Sequence, residues 1–107
     1  MANPIAEFLT TLPDRVSAGA ISGLSAVFQF VDTDDDGGVW AVTIVNGHMA
    51  VSEGAAGNAD IILTAETSDW ARMVSGTLRS QEAILIGRLR IRGDVTLAIK
   101  LQSIFHL

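Results

Sequence analysis

The sequence predicts an α+β fold, in which a five-stranded, mainly antiparallel sheet is covered on one face by helices. Three observations point there. Apolar residues recur at helical spacing near both ends and again after residue 67. Between them run short β-branched stretches that alternate in polarity, one pair of which is joined by Asn46-Gly47, a strong hairpin signal. The size is also right, since a chain of 107 residues and 11.3 kDa buries about 65% of its unfolded surface, enough for one real core.

Each element follows from local chemistry. Asn3 followed by Pro4 reads as an N-cap with proline at the first helical position, and Ile5, Phe8, Leu9, Leu12 and Val16 continue at helical spacing until Pro13 bends or ends the helix. After Gly19 and Gly23 the period changes to two: Leu24, Ala26, Phe28 and Phe30 share one face of a strand and Gln29 takes the other. Asp32 to Gly38 is a turn. Val39–Val45, with Trp40, meets Asn46-Gly47 and returns as His48–Ser52, an antiparallel meander, while Gly54–Asn58 is a small-residue loop and Ile61–Thr64 a fourth strand. Thr67 or Ser68 is expected to cap a helix carrying Asp69, Trp70, Met73 and Val74 and stopping at Gly76. A short helix spans Gln81–Ile86. Gly87–Gly93 alternates throughout, so Leu89 and Ile91 face inward while Arg88, Arg90 and Arg92 face water, as in a charged edge strand. Asp94 caps the last helix, whose stripe is Leu97, Ala98, Leu101, Ile104 and Phe105.

Composition removes whole classes of function. The chain is 49% hydrophobic with mean hydropathy +0.39, yet its longest apolar runs are four residues, Val39–Val42 and Ala83–Ile86, against the ~20 of a membrane helix. Neither a transmembrane segment nor a signal peptide is expected. No cysteine is present, which excludes disulfides, thiolate metal sites and cysteine nucleophiles. A net charge of −5 and pI near 4.7 argue against nucleic acid. The charge is polarised: residues 1–66 hold nine carboxylates and one arginine, residues 67–107 three carboxylates, five arginines and Lys100.

No catalytic constellation emerges. Asp32-Thr33-Asp34-Asp35-Asp36-Gly37 opens like a calcium loop, but the twelfth position is Thr43 inside a strand, so a solvated turn is expected and no metal site. His48 and His106 have no partner at a telling spacing and read as surface residues. Asp60 and Asp69 gain no support as a pair, Asp69 being explained by its place at a helix start. The arginines 88, 90 and 92 read as edge protection, with anion binding as the alternative. No cofactor is implied.

Between Gly23 and Phe105 a series of short pieces stands in a characteristic order: Ala26-Val27-Phe28-Gln29-Phe30, Gly38-Val39-Trp40 leading to Val45-Asn46-Gly47, Ala59 to Thr64, and Asp69-Trp70 to Val74-Ser75-Gly76. They continue with Gly87 to Asp94 and close at Leu97-Ala98-Ile99-Lys100-Leu101-Gln102. In these pieces, their order and their spacing the chain resembles the sterol carrier protein type-two family. The resemblance implies an apolar tunnel between sheet and helices that holds a fatty acid, acyl thioester, sterol or isoprenoid. Carried over position by position, the lining candidates are Phe28 and Phe30 on the first strand, Leu89 and Ile91 on the last strand, and Leu97, Ala98, Leu101 and Phe105 on the closing helix; Trp70 with Met73, which by spacing alone read as an ordinary core stripe, as do Phe105 with Leu101, complete the candidate ligand-binding set. Val95 and Thr96 stand where the family often has Met and Gly, a departure placed at the tunnel mouth. Animal members tend to be basic and to end in a peroxisomal tripeptide; this chain is acidic and ends Phe105-His106-Leu107, which disfavours docking on anionic membranes and peroxisomal targeting.

The expectation is therefore one domain over residues 1–107, cytoplasmic and non-enzymatic, that binds an apolar lipid in an internal tunnel without stable membrane insertion. The alternative is an accessory interaction domain whose apolar groove receives a partner's helix or tail.

Overall fold

A computed structural model describes residues 3–34 and 37–107. The strands are β1 (Ala26–Asp32), β2 (Val39–Val45), β3 (His48–Glu53), β4 (Ile61–Ala65) and β5 (Arg90–Gly93), in the spatial order β3-β2-β1-β4-β5. The expected meander β1-β2-β3 forms. Asn46 and Gly47 both take positive φ, 48° and 81°, as a tight hairpin turn between twisted strands requires. β4 crosses to the other side of β1 and pairs with it in parallel, among the described residues the one parallel ladder in an otherwise antiparallel sheet, and β5 pairs antiparallel at that edge.

Register decides which side chains share a face. Phe28 lies opposite Val42 on one side and Ile61 on the other; Phe30 lies opposite Trp40 and Leu63, and Leu63 opposite Ile91. Because strand side chains alternate, these residues form one apolar face, and Gln29, Thr43, Thr64, Arg90 and Arg92 fall on the other. Gln29 is buried there, its Oε1 accepting from the Ala56 amide at 2.9 Å. At the β5 edge, Gly93 has φ 99° and a Cβ would meet the Asp60 carbonyl at 2.5 Å, so glycine is needed to bring this strand end against β4.

The apolar face is covered by helices α1 (Pro4–Arg15), α2 (Ala18–Ile21), α3 (Thr67–Val74), α4 (Ser80–Leu85), a 3-10 helix Val95–Ile99 and α5 (Lys100–Ser103). α1 buries Ile5, Leu9 and Leu12 and packs against α3 and β3. Asn3 caps it as expected, Oδ1 accepting from the Ile5 and Ala6 amides.

Four local expectations are corrected. The first helix runs through Pro13 to Arg15, with Val16 as its cap. α2 takes in Gly19 and ends before Gly23, a short helix where the sequence suggests only a change of period, and Leu24 precedes β1 rather than belonging to it. The last strand is shorter than its alternation, because Gly87 has φ 77° and the Arg88 and Leu89 amides both donate to the Ala83 carbonyl, closing α4. The closing segment is two short pieces rather than one α-helix: Asp94 does cap it, accepting from Thr96 N at 3.0 Å, but the turn that follows is 3-10, consistent with β-branched Val95, Thr96 and Ile99.

Candidate functional site

The start of α3 is built from a distance. Neither Thr67 nor Ser68 caps it; Glu66 occupies the cap position, and its side chain makes no capping bond to the helix. Instead the Thr67 amide donates to Asp34 Oδ2 at 3.1 Å and Thr67 Oγ1 to Asp32 Oδ2 at 2.6 Å, while Asp32 Oδ2 also accepts from Asn3 Nδ2 at 3.0 Å. Asp32, buried at the end of β1, thus ties together the start of α1, the start of α3 and the central strand. Asp35 and Asp36 of the acidic turn lie outside the described residues. The two neighbours that are described spend their carboxylates on these helix starts.

With α3 fixed, Trp70 is held over the sheet by its Nε1, which donates to the Val31 carbonyl at 3.0 Å. Its ring centroid lies 5.6 Å from that of Phe30. Phe105, arriving from the chain's end, sets its ring edge-on to both Phe28 and Phe30, at 5.1 and 5.2 Å. Such edge-to-face contacts favour the quadrupoles of the rings. Phe28, Phe30, Trp70, Met73, Leu89, Leu101 and Phe105 are all buried in one cluster, and Ile91, Leu97 and Ala98 pack half-buried against it. All ten predicted lining residues are thereby brought together between the sheet and the helices, as a closed apolar cluster whose rings touch. Met73 also borders a concavity of about 310 Å³ shared with Leu78, Gln102 and Leu107.

What sequence reasoning missed is polar. Asp69 is no ordinary surface charge at a helix start: it is 2% exposed, and its Oδ2 has no hydrogen-bond partner among the described residues. Asp60 does not pair with it; Asp60 Oδ2 accepts the Val27 amide at 2.7 Å. His48 and His106 are exposed, as expected. Arg88, Arg90 and Arg92 are exposed at the edge strand or just before it, and Arg88 reaches Glu66 at 3.5 Å. Large apolar side chains stand in solvent at Leu85, 85% exposed, and at Ile86, Val95 and Ile99. Among the described residues no helix is long and apolar enough to cross a membrane.

The chain is similar to Hydroxysteroid dehydrogenase-like protein 2 of Xenopus tropicalis, 28% identical over 104 residues, which are 96% of this chain and 25% of that protein. It therefore spans about a quarter of the length of that curated relative. Among solved structures, palmitated SCP2L2 from Aedes aegypti is 23% identical with a TM-score of 0.77, covering 98% of this chain and 93% of that one. The inverting sec-alkylsulfatase Pisa1 from Pseudomonas sp. contains the same fold, with a TM-score of 0.76 and 23% identity over 94% of this chain and 15% of that one. Both structural likenesses concern the fold, and a profile match over residues 5–106, nearly the whole sheet-and-helix arrangement described above, shows that the chain belongs to the SCP-2 sterol transfer family.

Proposed function

We propose that this chain binds a long acyl chain by burying it among Phe28, Phe30, Trp70, Leu89, Leu101 and Phe105, and that it transfers or presents that lipid rather than transforming it. The observation that carries the reading is the convergence of all ten lining residues, from four separate stretches of sequence, on one apolar cluster between sheet and helices. Family membership supports it, as does the palmitated state of the Aedes aegypti neighbour. The closing segment is the element that yields: a five-residue 3-10 turn and a four-residue helix separate from β4 and β5 more readily than a long α-helix would. Residues 1–107 act as one binding unit in this reading.

Affinity follows from burial. A ligand of about 20 heavy atoms realising ~0.3 kcal/mol per atom binds with Kd in the tens of micromolar. In Trp40→Phe, where Trp70 is the sole fluorophore, titration with palmitate should give a saturable change in emission over that range. A flat titration, with no displacement of an environment-sensitive probe by palmitate, contradicts the proposal and favours a groove for a partner segment.

A further inference from the structure

The two edges of the sheet are finished differently. β5, on one side, is short and carries exposed Arg90 and Arg92, charges that deter further pairing. β3, on the other, runs six residues, and its interior Met49-Ala50-Val51-Ser52 holds no charge and no proline. Register settles which of its backbone groups are free. β3 pairs with β2 from Val45↔His48 to Trp40↔Glu53, and the Gly54 amide continues the ladder by donating to the Val39 carbonyl at 2.7 Å. Bonded pairs recur at every second residue of an antiparallel ladder, so His48, Ala50, Ser52 and Gly54 spend their backbone groups on β2. Met49, Val51 and Glu53 turn theirs outward, and among the described residues nothing bonds to them there. A row of alternating donors and acceptors about 20 Å long is thus left open.

The same register sets the side chains of Met49, Val51 and Glu53 on the helix side, opposite Ile44, Val42 and Trp40. Met49 and Val51 are only half-buried there and form an apolar ledge along the edge. Glu53, the one carboxylate on β3, is exposed at its end and makes no ion pair among the described residues. It belongs to the half of the chain that holds nine carboxylates and one arginine, so a cation is the charge this edge invites. A second copy joined through its own β3 would repeat that acidic half and bring its α1 to the same side of the sheet. α1 packs on β3, and paired strands lie ~4.8 Å apart where packed helices need ~8 to 10 Å, so a lone strand fits where a helix-covered one crowds. We propose that β3 is a docking edge for an extended segment of another protein, added antiparallel as a sixth strand, with β-branched side chains beside Val51 and Met49 and a lysine or arginine opposite Glu53. The proposal stands whether or not an acyl chain occupies the apolar cluster.

The test is an amide chemical-shift titration of the whole chain with the acetylated, amidated peptide TKTVTVT, which sets its lysine opposite Glu53 and its valines opposite Val51 and Met49. The amides of Met49, Val51 and Glu53, which gain bonds, should shift most and exchange at least tenfold more slowly at saturation, while those of Ala50 and Ser52, already bonded to β2, change less. Methylating both valine nitrogens of the peptide should abolish binding. Val51→Pro removes an outward donor and no bond to β2, and should weaken the peptide at least tenfold. Should that variant fail to fold, Glu53→Lys still decides: it should bind TKTVTVT at least threefold more weakly than the parent does and should prefer TETVTVT. The proposal is overturned if neither peptide moves these amides at millimolar concentration, or if the methylated peptide binds as well as the unmodified one, which would be association with a face and not strand addition. It is also overturned if the free chain doubles its mass in sedimentation while the same three amides shift, since a second copy would then cover the edge. A silent palmitate titration bears on the apolar cluster alone and leaves these outcomes readable.

Discussion

Asp32 joins two helix starts to the central strand, and its removal is the most informative single change outside the cluster. Asp32→Ala strips an acceptor from Asn3 Nδ2 and Thr67 Oγ1 and leaves their donors half-buried. Hydrogen bonds to a charged acceptor contribute ~1.5 to 3 kcal/mol each, and loss of this shared carboxylate should cost about 3 kcal/mol in urea unfolding. A cost below about 1 kcal/mol would mean that the helix starts are satisfied by solvent instead. The same geometry bears on calcium. Asp32 and Asp34 already accept from Thr67, so millimolar calcium should leave the melting temperature unchanged, and a rise that Asp34→Asn abolishes would contradict this. Neither arrangement was visible in the sequence, because Asp32 and Thr67 are 35 residues apart and nothing in local spacing marks a capping carboxylate supplied from another element.

Among the elements, the closing segment differs most from its expected form and carries most of the proposed mechanism. Periodicity identified the stripe Leu97, Ala98, Leu101, Ile104 and Phe105 correctly as inward-facing, since these five are buried or half-buried. It could not tell 3-10 from α, because five residues cover too few turns for periods of 3.0 and 3.6 to diverge. The strands were more legible, with alternation and the Asn46-Gly47 turn locating β1, β2 and β3 within a residue or two, whereas the parallel pairing of β4 with β1 is a long-range choice that no local pattern encodes. If the closing segment is the part that opens, amides from Leu97 to Ser103 should exchange at least tenfold faster than those of β1, and palmitate should slow them selectively. Uniform exchange across both would place the opening elsewhere. Ala98→Leu sharpens the point. Its added carbons should compete with the ligand, leaving urea stability within about 1 kcal/mol of the parent while lipid binding falls; a larger loss of stability with unchanged binding would mark ordinary close-packed core.

For the whole molecule, the division of labour is between an apolar interior and a charged periphery. The strand register puts Phe28, Phe30 and Leu63 on the helix side and Arg90 and Arg92 on the other, so one alternation builds both the apolar cluster and the guanidinium edge. Lining candidates drawn from four distant stretches converged because register and helix stripes are sequence properties; the burial of Asp69 did not show itself, since a carboxylate in a first helical turn is ordinary at a surface. The central claim is that an acyl chain lies within the cluster and not on the apolar side chains outside it. Isotope-filtered NMR of the chain saturated with carbon-13-labelled palmitate measures this directly. The account predicts cross-peaks from the chain methylenes to the rings of Phe28, Phe30, Trp70 and Phe105. Cross-peaks confined to exposed Leu85, Ile86, Val95 and Ile99 would contradict it.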